Sequence, residues 1–167
     1  MASEETLTAS SAEFVLRAGP ADDDAVVRAR HLGTVERFAA APELCLLRLG
    51  AAKASPKSAW QATTRALGAG IALFPVLHDA GGAAHYPTGE ITVRFDSAPS
   101  DDELARFCAA QRLRALRRNA FVAQQVVCEA LAAAEEFLPE IVARLAAEPG
   151  VRRAWANTLS HYRRAET

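Results

Sequence analysis

One order of local patterns, strand, helix, strand, strand, helix, strand, runs twice along this chain, and two copies of a short plan restrict the fold more than any single motif does. The first copy opens with a strand at Glu13 to Ala18, ended by Gly19-Pro20. Asp22, Asp23 and Asp24 then fill a first helical turn, where negative charge suits the helix dipole; Val26, Ala29 and Leu32 share one face and Gly33 follows the end. Thr34 to Ala40 and Leu44 to Leu49 read as strands around a turn at Ala41-Pro42-Glu43. Ser55-Pro56 opens a second helix with a cap and a proline at the first position, Gly68 stops it, and Ile71 to Leu77 closes the copy as a strand.

The second copy begins with Ile91, Val93 and Phe95 alternating with Thr92 and Arg94, the period of a strand with one buried face. Ser100 and Glu103 make a capping box, and Leu104, Phe107 and Cys108 form the stripe of the helix it starts. Leu113 to Arg118 and Val122 to Glu129 read as strands on either side of Asn119-Ala120. Phe137, Leu138, Ile141, Val142 and Leu145 give the last helix, with Pro139 confined to its first turn, and Val151 to Ala156 the last strand.

The expected fold class is therefore α+β: two tandem ferredoxin-like β-α-β-β-α-β sandwiches, antiparallel sheets each with two helices on one face. Residues 1–12 are expected to be disordered, 13–78 to form the first unit, 79–89 a Gly-rich linker, 90–156 the second unit and 157–167 an extended tail. Two helices cover only one side of each sheet. The other side needs a partner or the sister unit.

Composition narrows the function classes. Nineteen Lys and Arg against twenty Asp and Glu give a net charge of -1, and each half is balanced by itself, so nucleic acid and membrane are not expected partners. The acidic, polar start lacks the cationic and apolar stretches of a secretory signal. The chain as given is expected in the cytoplasm, with export beside a partner as the other option. Cys45, Cys108 and Cys128 are odd in number, widely spaced and flanked by apolar residues, which points to buried free thiols rather than a disulfide framework or a zinc site.

Catalytic constellations are missing from the sequence. His31, His78, His85 and His161 have no helical i, i+4 partner and no Cys or carboxylate at ligand spacing. No Ser sits in a G-x-S-x-G elbow, and the glycines form neither G-x-G-x-x-G nor a P-loop. The acidic clusters stand where helices start. No catalytic residue, metal or cofactor is expected, and the aromatic residues are too few for an RNA-stacking sheet.

From Tyr86 onward the chain resembles the propeptides of subtilisin-like serine peptidases. The resemblance is carried by P-T-G-E-I-T-V-R-F from Pro87 to Phe95, the acidic helix start at Ser100 to Glu103, R-L-R-A-L-R-R-N-A-F-V at Arg112 to Val122, and L-A-A-E-P-G-V-R-R-A at Leu145 to Ala154. Residues 13–78 resemble the weaker upstream copy that precedes such propeptides in some bacterial members. The resemblance implies a non-enzymatic protein, one whose open sheet face lies on two surface helices of a peptidase and whose tail occupies the substrate cleft as a product-like inhibitor, with assistance to folding as a second role. The tail residues it would place in the cleft are Leu159, Ser160, His161, Tyr162, Arg163 and Arg164, held by strand addition. For the sheet contact, alternation turns Val126 and Cys128 inward with Ile91, Val93 and Phe95, and leaves Arg94, Gln125 and Val127 as interface residues. The chain departs from the usual case in having no catalytic region after Thr167, which leaves an excised prodomain or a free-standing partner of a separate peptidase. The alternative from a different class is a ferredoxin-like regulatory or assembly module without a peptidase partner.

Overall fold

A computed structural model describes residues 6–18, 23–51 and 55–160. Its elements are β1 (Thr8–Arg17), α1 (Asp23–Leu32), β2 (Gly33–Phe38), β3 (Ala41–Leu49), α2 (Pro56–Leu67), β4 (Ala72–His78), β5 (Ala84–Phe95), α3 (Asp101–Gln111), β6 (Leu113–Arg118), β7 (Gln125–Ala130), α4 (Leu138–Ala146) and β8 (Val151–Ser160). The fold is α+β, with four helices and one eight-stranded antiparallel sheet among the described residues. Strands run β2-β3-β1-β4-β5-β7-β6, with β8 on the remaining side of β5.

Local chemistry places the helices. Ser55 caps α2 by accepting from the Ser58 N–H, with Pro56 at the first position. Ser100 and Glu103 close a capping box on α3, each accepting from the other's backbone N–H. Pro139 lies in the first turn of α4, where its missing N–H has no helical acceptor to lose.

Several boundaries differ from the sequence expectation, at the two ends of the first half because pairing partners lie far away in the chain. Thr8 and Ala9, expected in a disordered start, pair with His78 and Leu77 across a bulge. Residues 84–89, expected in a linker, belong to β5, which meets β4 at Leu77↔His85 and His78↔Ala84. The real connection is the short turn between them, built on Asp79, whose Oδ1 accepts the N–H groups of Gly81 and Ala83 at 2.9 Å each. Pro42, expected in a turn, lies inside β3, its carbonyl accepting from Arg37 at 2.8 Å. Residues 122–124 belong to the β6–β7 connection rather than to β7. Gly33 follows the end of α1 as expected and is also the first residue of β2, where a Cβ would stand 1.9 Å from the Arg48 carbonyl oxygen.

The core has two parts. Phe14, Leu16, Cys45, Leu47 and Leu73 pack on Val26 and Ala29 of α1 and Trp60 and Leu67 of α2. The alternate residues Val15, Leu44, Leu46, Phe74 and Val76 are each 2% exposed or less. They join Tyr86, Ile91, Val93, Val126 and Cys128, together with Leu104 of α3 and Ile141 of α4, in one cluster. The first half of the sheet is thus buried on both sides, its second side within the chain. Phe38 on the outer strand β2 meets Tyr86 of β5 edge to face at 5.1 Å. On the helix side, Trp60 lies 5.6 Å from Phe137 and Lys57 pairs with Glu140 at 2.5 Å, tying α2 to α4.

The seam between halves passes through Gly89. Between Pro87 and Ile91 the register of β5 against β8 shifts, and Gly89 bends there with φ +88, a conformation that suits glycine. A Cβ at Gly89 would stand 2.6 Å from Arg17 Nη2 and 2.7 Å from Phe74 Cζ. No other residue leaves room for them. No helix of the described residues is long and apolar enough to cross a membrane.

Candidate interaction face

In the second half the strands turn Ile91, Val93, Val126 and Cys128 toward α3 and α4, all with no exposed surface. The opposite side of β5, β7 and β8 is the candidate face. Arg94 stands opposite Gln125 and beside Arg153, and Thr92 stands opposite Val127 and Trp155. Arg94, Gln125 and Val127 are therefore brought together on one surface, each half-buried. Arg94 has no hydrogen-bonding or ion-pair partner among the described residues.

A polar network organises the centre of this face. Glu90 accepts from both Arg117 guanidinium nitrogens at 3.0 and 2.8 Å, and from Asn157 Nδ2 at 3.2 Å. Asn157 Oδ1 in turn accepts the Thr92 hydroxyl at 2.7 Å, and the Asn157 carbonyl accepts from Thr88 Oγ1 at 3.3 Å. Arg117 first and Asn157 next hold the Glu90 carboxyl below its ordinary value of 4.5, because both favour the ionised form. Thr92, expected to face outward, is on this side but only 6% exposed, since the amide of Asn157 and the strand carrying Trp155 close over it. Glu129 binds Arg17 at 2.6 Å and also Arg114. The Arg153 guanidinium lies 5.4 Å over the Trp155 ring. Asn119 braces the rim: its Oδ1 accepts the N–H groups of Phe121 and Val122, and its Nδ2 donates to Gln125. Phe121 is left 98% exposed.

The expected tail splits at Ser160. Asn157 to Ser160 belong to β8, with Thr158 opposite Pro87, Leu159 opposite Tyr86 and Ser160 opposite His85. Leu159 packs against the main core cluster. These four, expected in an extended tail, are part of the sheet instead, because the long N-terminal part of β5 supplies their partner. His161, Tyr162, Arg163 and Arg164 lie outside the described residues.

Sequence reasoning missed Trp155, Arg153 and Asn157 as members of this face. Their signal was there: large or polar residues at alternate positions, with Ala154 and Ala156 between them turned toward α4. It missed Glu90 and Arg117 for another reason, since their pairing depends on a register no local pattern encodes.

Buried nucleophiles are quenched. Cys45, Cys108 and Cys128 are free and buried, and burial pushes the Cys128 thiol up to about 12. Among the described residues no group of three His, Cys, Asp or Glu side chains converges on a point that could hold a metal ion. No protein-family model matches the chain, and no curated protein matches it.

Proposed function

We propose that the two halves are tandem ferredoxin-like units, and that the chain binds a subtilisin-like serine peptidase through the open face of the second unit and inhibits it. The unit assignment is supported by the pairings: β4-β1-β3-β2 in the first half and β8-β5-β7-β6 in the second follow the same order, each with its helices on one side. The observation that carries the functional reading is an asymmetry between the halves. The first half's second sheet face is covered within the chain, whereas the second half leaves Arg94, Gln125, Val127 and Trp155 half-exposed on a braced polar surface. An aromatic ring and an arginine without an ion-pair partner among the described residues, side by side on a sheet, are the residue types that dominate protein–protein binding energy. Leu159 and Ser160 anchor the end of β8, so the residues proposed for the substrate cleft are His161 to Arg164.

The test is to titrate a purified subtilisin-like peptidase with the full chain while following hydrolysis of a chromogenic peptide. Stoichiometric inhibition is expected. Trp155→Ala and Arg94→Glu should each weaken it by about 1–3 kcal/mol, and removal of residues 161–167 should abolish inhibition while leaving a complex. A folded chain that gives no inhibition and no complex overturns the reading. The second reading, an assembly or regulatory module, draws on the buried face of the first half; it gains if the chain ignores the peptidase and forms a symmetric oligomer through Trp155.

A further inference from the structure

A groove of about 490 Å³ runs between α4 and the outer edge of β8. One wall is α4, where Leu138, Val142 and Ala146 stand a turn apart and are buried, half-buried and exposed in turn, and Leu7 and Leu77 also line the groove. The other wall is made by consecutive residues 152–156 of β8. Successive side chains of a strand point to opposite faces, so five residues in a row line one groove only where the backbone edge itself borders it. Among the described residues β8 pairs with β5 alone, which leaves the main-chain groups on this edge without a strand to meet. The lining holds two cations, Arg152 and Arg153, and no acid. Neither arginine has a carboxylate partner among the described residues; Arg153 only stacks on Trp155.

We infer that this groove takes an extended peptide segment of another protein, which adds a strand to β8 and alternates apolar residues with carboxylates. Main-chain hydrogen bonds to the β8 edge supply register-independent affinity, the apolar side chains on one face of the added strand rest against α4, and the carboxylates on its other face meet Arg153. This inference does not rest on the peptidase reading; Arg153 and Trp155 border both surfaces, whereas Ala143 of α4 lines the groove alone, so its change separates the two.

The experiment uses the full chain and a capped peptide, six residues long, alternating leucine and glutamate, with binding followed by calorimetry and by tryptophan fluorescence in a Trp60→Phe background, which leaves Trp155 as the emitter. Saturable binding is expected, weakened at least about tenfold by Arg153→Glu, alone or together with Arg152→Glu. It should be weakened similarly by Ala143→Glu, an exposed α4 position lining the groove whose change leaves the core intact. Methylating the peptide nitrogens on the edge facing β8 should abolish binding, and a leucine–lysine peptide should not bind. Absent binding, or binding indifferent to N-methylation or to the arginine changes, overturns the inference. So does binding that appears only after residues 1–6 are deleted, since the occupant is then the chain's own acidic start. Self-association of the full chain that Ala143→Glu abolishes also overturns it, in favour of a second copy.

Discussion

Arg17 on β1 and Glu129 on β7 form an ion pair at 2.6 Å although they stand 112 positions apart. The same guanidinium donates to the Thr88 carbonyl at 2.5 Å and lies over the Phe74 ring. One side chain therefore clasps the first half, the bend in β5 and the second half together. Both partners are under a third exposed, so each loss leaves a partly desolvated charge behind. Arg17→Ala and Glu129→Ala are each expected to destabilise the chain by about 1–3 kcal/mol. A double-mutant cycle in urea should show them coupled; additive effects would mean that the pair does not act as a clasp.

Gly89 allows a quantitative separation of two effects. Its φ of +88 strains any side chain, and its surroundings collide with one. Gly82 has nearly the same φ, +81, in open space. Gly82→Ala is expected to lower stability by about 1 kcal/mol and Gly89→Ala by about 2–4 kcal/mol. Equal urea midpoints for the two variants would show that Arg17 and Phe74 move aside freely.

Acid should weaken the fold through Glu90. Because Arg117 and Asn157 hold its carboxyl below the ordinary 4.5, the unfolded chain takes up that proton first. The contribution of Glu90 is whole above pH 4.5 and is lost as pH falls from there through the lowered value. Stability measured from pH 7 to pH 3 should therefore fall more steeply for the parent than for Glu90→Gln. Identical profiles would remove Glu90 from the acid response.

The thiols give a fourth check. With Cys128 pushed up to about 12 and Cys45 and Cys108 also raised by burial, almost no thiolate exists at pH 8. A chromogenic disulfide reagent should leave all three cysteines untouched in the folded chain and label all three in denaturant. Rapid labelling of the folded chain would show that the core opens easily.

What the sequence made legible was local. The capping pairs Ser55-Pro56 and Ser100–Glu103 and the alternation at Ile91 to Phe95 marked elements that the structure forms within a few residues. What escaped was anything whose partner lies far off. Residues 84–89 look like linker because their composition is loose, yet β4 and β8 offer them hydrogen bonds. Leu159 looks like tail because nothing nearby in sequence receives it, yet Tyr86 does. On the candidate face, the outward places of Arg94, Gln125 and Val127 followed from alternation alone. The Glu90, Arg117 and Asn157 network did not, since it joins three strands.

The two rungs that join β4 to β5 look like a natural place to divide the chain in two. They are the wrong place to cut. A fragment ending at His78 would bare Val15, Leu46, Phe74 and Val76 at once, and the remainder would lose the surface that Tyr86 rests on. What reads as duplication has become mutual dependence, and an expression strategy built on separate halves would yield two sticky pieces in place of one folded protein.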